Sequence, residues 1–158
     1  MKKIINLGPM KNQVKKLFVI GAMYLCTATT AMAANYLSVT VDNANIRSGP
    51  GANYPTAMEL FLGYPLKVVK KEGEWYQVTD FENDTGWVHK SIVRPCNTVI
   101  VNSKSSINMR SGPSTKEANV ADVERGVVLT KLSQKGQWVE VKHSSGTTGW
   151  VFSSLVWP

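Results

Sequence analysis

The sequence predicts an all-β protein made of two tandem small antiparallel barrels behind a removable leader. Three observations predict it. First, Asn45-Ile46-Arg47-Ser48-Gly49-Pro50 returns as Asn108-Met109-Arg110-Ser111-Gly112-Pro113, sixty-three residues later. The chain downstream keeps matching at that offset. Gly63, Leu66, Gly73, Trp75 and Val78 answer to Gly126, Leu129, Gly136, Trp138 and Val141, and Thr85-Gly86-Trp87-Val88 answers to Thr148-Gly149-Trp150-Val151. A fixed period of this kind is the mark of a duplicated module. Second, each copy is a series of short alternating runs separated by glycine turns, with about 60 residues per unit. Third, no segment keeps a helical apolar period over ten residues.

Each element has a local cause. Leu37 to Val41 alternates apolar and polar, a strand signature. Asp42-Asn43 reads as a turn and Ala44 to Arg47 as a second short strand. Gly49 admits a positive φ and Pro50 gives up its amide donor, so Ser48 to Pro55 must open as a loop. Ala57 to Leu62 suits a strand edge or a short turn, and Leu66 to Lys70 a strand. Glu72-Gly73-Glu74 is a hairpin turn leading into Trp75 to Thr79, with Tyr76 and Val78 on one face and Trp75 and Gln77 on the other. Asp80 to Asp84 is expected as a solvated hairpin, Gly86 to His89 as a strand, and Lys90 to Ile92 as one helical turn. Copy two follows with strands at Val99 to Val101, Ser106 to Arg110, Val127 to Leu132, Trp138 to Lys142 and Gly149 to Phe152. Val68 corresponds to Lys131, so that position is either partly exposed or followed by a bulge. The domains are expected at 36–95 and 97–158, and a linker as short as Pro95-Cys96 predicts that they touch.

The formal charge of +7 is misleading. Lys2, Lys3, Lys11, Lys15 and Lys16 precede an apolar run from Leu17 to Cys26, followed by Ala31-Met32-Ala33. Basic, then apolar, then small is a secretory signal peptide, expected to span 1–33 with cleavage after Ala33. Met10 would begin an equally complete leader. Tyr24-Leu25 ahead of Cys26 disfavours lipidation there. The run is shorter than the ~20 residues that span a bilayer, so the mature chain is not expected to be transmembrane. Without the leader, thirteen basic and eleven acidic residues remain. That balance excludes a strongly basic nucleic-acid binder. Copy two, with seven basic and four acidic residues, suits weak attraction to an anionic wall polymer or membrane surface, or simply a solvated face.

The candidate binding residues are Arg47, Tyr54, Trp75, Trp87, Arg110, Trp138 and Trp150. Each arginine could receive a carboxylate, or could tie down the loop that follows by donating to its carbonyls. Each tryptophan could pack in a core or face a groove. Tyr54 lies in a loop where an aromatic needs a reason, and its counterpart is Glu117. Tyr64 and Tyr76 likewise become Val127 and Val139, so a groove relying on aromatics is expected in copy one. Cys96 is the one cysteine after the leader, either a plain linker thiol or an intermolecular disulfide. No catalytic residue, metal site or cofactor is expected. A cysteine nucleophile needs a histidine base nearby, and neither His89, which answers to Phe152, nor His143, which answers to Asp80, belongs to the repeated framework. The alternating Asp80, Glu82 and Asp84 lack the glycine and final acid of a calcium loop.

The doubled Asn-Ile/Met-Arg-Ser-Gly-Pro, Gly63 before a strand, Trp75-Tyr76-Gln77-Val78, and Gly-Trp-Val at 86–88 and 149–151 resemble the bacterial SH3 family (SH3b, SH3 type 3). The resemblance covers nearly all of the chain after the leader. It implies an SH3-like barrel of five to seven strands, and a non-enzymatic exported module that docks on the cell envelope, in the periplasm or outside the cell. Peptidoglycan or its peptides are the implied partner. The alternative is a structural adaptor for another exported protein, possible as a Cys96-linked dimer.

Overall fold

In a computed structural model that describes residues 35–158, the repeat folds as two seven-stranded antiparallel sheets. The signal peptide expected over 1–33 lies outside the described residues. The first sheet contains β1 (Tyr36–Val39), β2 (Ala44–Arg47), β3 (Thr56–Leu60), β4 (Pro65–Glu72), β5 (Trp75–Thr79), β6 (Thr85–His89) and β7 (Val93–Pro95). A single 3-10 turn, Lys90–Ile92, joins the last two. The second contains β8 (Thr98–Val101), β9 (Ile107–Arg110), β10 (Asn119–Val123), β11 (Val128–Lys135), β12 (Trp138–Lys142), β13 (Thr148–Phe152) and β14 (Val156–Trp157), with the turn Ser153–Leu155 before β14. Both sheets run in the same order, β3-β2-β6-β5-β4-β1-β7 and β10-β9-β13-β12-β11-β8-β14. The alternating runs therefore make the strands they predict. The short strands β7, β10 and β14 were not predicted, because pairing rather than pattern defines them.

Two local features recur in both copies. The register slips between Val68 and Lys70 against β5, and between Lys131 and Ser133 against β12. Val69 and Leu132 are the extra residues, 59% and 50% exposed. Both expectations for the Val68 and Lys131 position therefore hold together: Val68 is half-buried, Lys131 exposed, and a bulge follows each. The second feature is the glycine of Gly-Trp-Val. Gly86 lies against Ile46 and the Arg47 carbonyl, and Gly149 against Met109 and the Arg110 carbonyl. These contacts let β6 and β13 press onto the strand that carries the arginine motif. A Cβ on Gly149 would sit 2.8 Å from the Arg110 oxygen and 3.0 Å from the Met109 sulfur. The backbone oxygen has little room to give.

The barrels are joined through their first strands. The second barrel's repeat offset drops to sixty-two there, because the loop after β8 holds one residue more than the loop after β1. All four residues of β8 are buried. Val99 and Val101 enter the second core, while Ile100 belongs to the first. Thr98 donates to the Gly63 carbonyl at 2.6 Å, and its hydroxyl lies 2.7 Å from that of Ser38. Trp157 meets Tyr36 edge-on at 5.4 Å. Arg125 donates to Glu82 at 3.0 Å and lies over the Phe81 ring. Burying Ile100 contributes about 1.5–3 kcal/mol, against about 0–1 kcal/mol for the exposed ion pair, so apolar contact dominates the joint. Cys96 is half-buried in the same joint and donates to the Thr98 carbonyl at 3.1 Å.

One expectation needs correcting. The Asp80 hairpin is not a wholly solvated loop: Asp80 is 5% exposed. One of its oxygens accepts from the amides of Glu82 and Asp84, both at 2.9 Å, and the other accepts from the Tyr64 hydroxyl at 3.0 Å. In the second barrel His143 replaces Asp80 and its Nδ1 accepts from the Ser145 amide at 3.2 Å, so a ring nitrogen does the same turn-closing work. Burial, then the charge of Asp80, then the hydrogen bond to it hold the Tyr64 phenol well above its ordinary range. Neutral Tyr64 is the form the fold favours, so its contribution is complete below the ordinary value of 10.0 and is lost as pH rises beyond it.

Two outcomes are expected. Gly149→Ala should lower stability by about 1–3 kcal/mol in urea denaturation, the usual range for overpacking. Tyr64→Phe should lose about 1–3 kcal/mol at about pH 8 by stranding one Asp80 oxygen, and the deficit should shrink at about pH 11, where the phenol of the unfolded wild type ionises while the folded form still holds it neutral. A constant deficit across both conditions would contradict the assigned pairing.

Candidate functional site

Each barrel carries a groove built from the same positions. In the first, Asn45 and Arg47 of β2 form the floor, Trp75 at the start of β5 and His89 at the end of β6 form one wall, and Asn43, Ala52 and Ile92 close the ends. In the second, Asn108, Arg110, Trp138, Phe152, Ser106, Thr115 and Leu155 take those places. The volumes are about 630 and about 450 Å³. Both lie within the ~300–1,000 Å³ typical of small-molecule sites.

The geometry follows from strand alternation. Ile46 and Met109 point into the cores, so the residues on either side, Asn45 and Arg47 or Asn108 and Arg110, face outward. Val78 likewise sends Trp75 and Gln77 to the outer face. Pairing then sets Trp75 opposite His89, and Trp138 opposite Phe152. The rings meet edge-on, with centroids 5.1 Å and 5.4 Å apart. The 3-10 turns are held against the hairpin tips by Lys90 N–H donating to the Glu74 carbonyl at 2.9 Å, and Ser153 N–H to the Gln137 carbonyl at 2.8 Å. Those bonds place Ile92 and Leu155 at the groove ends.

The arginines do the structural job that was one of their two expected roles. Arg47 Nη1 donates to the Tyr54 carbonyl at 2.7 Å, and Arg110 Nη1 to the Glu117 carbonyl at 2.9 Å. The loop mouths are closed by Ser48 N–H to Pro55 at 3.0 Å and Ser111 N–H to Ala118 at 2.9 Å. Each guanidinium has five donors, so one clamped nitrogen still leaves donors at the groove.

Of the seven residues singled out from the sequence, four gather at grooves: Arg47 with Trp75, and Arg110 with Trp138. Tyr54 is not among the groove-lining residues. Its ring covers Gly49 and Gly51, and it is 42% exposed. Trp87 is buried on the outer face beneath the Lys70 ammonium, 5.6 Å from its ring. Trp150, opposite Glu140 and Arg110, is half-buried away from the groove. Nor do the extra tyrosines of copy one serve a groove, since Tyr64 enters the core and Tyr76 packs against it. Sequence reasoning missed Asn45 and Asn108, His89 and Phe152, and Ile92 and Leu155. The histidine carries no repeat signal, because phenylalanine replaces it. The shared property is a flat ring facing tryptophan.

The Bacterial SH3 domain family matches residues 40–95 and 103–158. The chain belongs to that family. In each SH3 copy the groove's asparagine, arginine and tryptophan stand at the same repeat positions. Among curated relatives, YrvJ of Bacillus subtilis, named as an N-acetylmuramoyl-L-alanine amidase, is 25% identical over 90% of this chain. LytH of Staphylococcus aureus, named as a cell wall amidase, is 33% identical over 46% of it. This chain spans only 30% of the first and 24% of the second. A solved NlpC/P60 family protein from Bacillus cereus ATCC 10987 aligns with 77% of this chain and 55% of its own, at 17% identity and a TM-score of 0.37.

Replacing Arg110 with alanine should free the 111–118 loop, at about 1.5–3 kcal/mol for a hydrogen bond from a charged donor. Amide exchange at Ser111 should quicken while the β12–β13 amides stay protected. Unchanged exchange at Ser111 would contradict the clamp.

Proposed function

We propose that this tandem SH3 chain is a non-enzymatic, exported binding protein that docks on the bacterial cell envelope, with peptidoglycan or its peptides as the ligand. The observation that carries this reading is the duplicated groove, which brings an aromatic wall, an arginine and an asparagine together in both copies. The chemistry suits a short peptide with a carboxylate. Free guanidinium donors can take the carboxylate, the asparagine amide can pair with peptide groups, and the indole face can cover an apolar side chain or a sugar. Two relatives, one named as an N-acetylmuramoyl-L-alanine amidase and one as a cell wall amidase, support the choice of ligand class.

The grooves offer surfaces for holding a ligand rather than for cleaving one. Cys96 bonds within the joint, to Ser38 and Thr98. His143 and His89 each accept from an amide two residues on, in their own turns. Neither stands beside the thiol as a base.

Purified residues 34–158 should sediment with insoluble peptidoglycan at low salt and leave a cell-wall suspension turbid. Trp75→Ala combined with Trp138→Ala should reduce retention by about tenfold or more, the scale of losing aromatic anchors. Wild-type protein remaining wholly in the supernatant would remove the reading, and clearing of the suspension would replace it with a hydrolase.

A further inference from the structure

We infer that the two grooves grip one polymer strand together, the joint between the barrels holding them at a fixed separation, so that the chain is a bivalent reader of a repeating ligand. This rests on the wall-binding reading above and goes beyond it. Three observations lead here. The grooves occupy equivalent positions of a sixty-three-residue repeat, so both present an arginine, an asparagine and an aromatic pair in the same order. A ligand that suits one therefore resembles a ligand that suits the other, as successive units of a polymer do. The joint is not a tether. β8 is buried on both faces, Ile100 fills part of the first core, and Thr98 donates to Gly63. Arg125 extends the joint to the second groove: it donates to Glu82 of the first barrel and to Asn102, beside the Ser103 that lines that groove.

Fixing two sites on one body makes the second binding event intramolecular. Avidity then exceeds the affinity of either site by about 10²–10⁴-fold when the ligand units match the spacing. A short rigid joint also avoids the ordering entropy that a flexible linker would lose on binding.

The grooves differ at their rims. Glu74, His89 and the Glu74–Lys90 ion pair at 2.5 Å border the first. Phe152 and Ser103 border the second, where Gln137 and Ser153 stand in place of the pair. Equal affinity at the two sites is therefore not required, only that both be occupied by the same strand.

The test fills one groove at a time. Ala52 and Thr115 are exposed loop residues at equivalent places on the two rims, so Ala52→Trp and Thr115→Trp occupy a groove without touching either core. Circular dichroism and melting should match wild type. Binding is measured on insoluble peptidoglycan and on the soluble muropeptides made by digesting it. Each single variant should bind the polymer at least about tenfold more weakly than wild type. On muropeptide, each should keep its remaining site while stoichiometry falls from two to one. Trp75→Ala and Trp138→Ala, which remove a wall instead of filling the space, should repeat the pattern. Wild type binding muropeptide at one site, or single variants holding the polymer as tightly as wild type, would overturn bivalency and leave the wall-binding reading standing. Wild type binding neither ligand would overturn both.

Discussion

An arginine turned back onto its own loop holds each groove in shape. The chain after Gly49 and Gly112 cannot continue a sheet, because the proline that follows has no amide to pair. Its carbonyls must find partners elsewhere. Arg47 and Arg110 supply them at 2.7 and 2.9 Å, reaching seven residues along the chain in both copies. The clamp does two things at once. It closes the loop, and it keeps the guanidinium at the groove floor beside the asparagine two residues before it. A shorter or uncharged side chain could do only one of these.

The second constraint is the close approach of β6 to β2, and of β13 to β9. Glycine at 86 and 149 leaves room for Ile46 and Met109, which brings the wall strand against the floor strand. The neighbouring tryptophans, Trp87 and Trp150, pair across from Arg47 and Arg110. They therefore shore up the arginine strand from its side, while Trp75 and Trp138 face the groove. One residue type thus has two jobs, divided by position along the sheet.

Residues common to both copies supply the asparagine, arginine and tryptophan of each groove, while several residues that break the repeat meet at the joint. Leu62 becomes Arg125, which reaches Glu82, and Ser145 stands in the second copy where Glu82 stands in the first. Tyr64 becomes Val127, and Phe81 becomes Ser144. Of these first-barrel residues, Glu82 and Phe81 meet Arg125. The second barrel carries exposed Ser144 and Ser145 at their equivalent positions. Duplication alone would have left two beads on a string; divergence at this face turned them into one body.

Much of this was legible without coordinates. The repeat, the Gly-Pro corners, the hairpin glycines, the alternating strands and the opposite faces of Trp75 and Tyr76 are local matters, fixed by φ preferences and a two-residue period. A hint of the joint was present too, in the unbroken run Val99-Ile100-Val101, which alternation at a one-sided strand would not produce. Which outward side chains converge is settled by long-range pairing of the strands. Arg47, Trp75 and His89 are far apart in the chain and meet because three strands pair in one register. Tyr54, adjacent to the motif, folds over its glycines instead. Local rules cannot see either outcome, since each depends on contacts between segments that no stretch of sequence holds together.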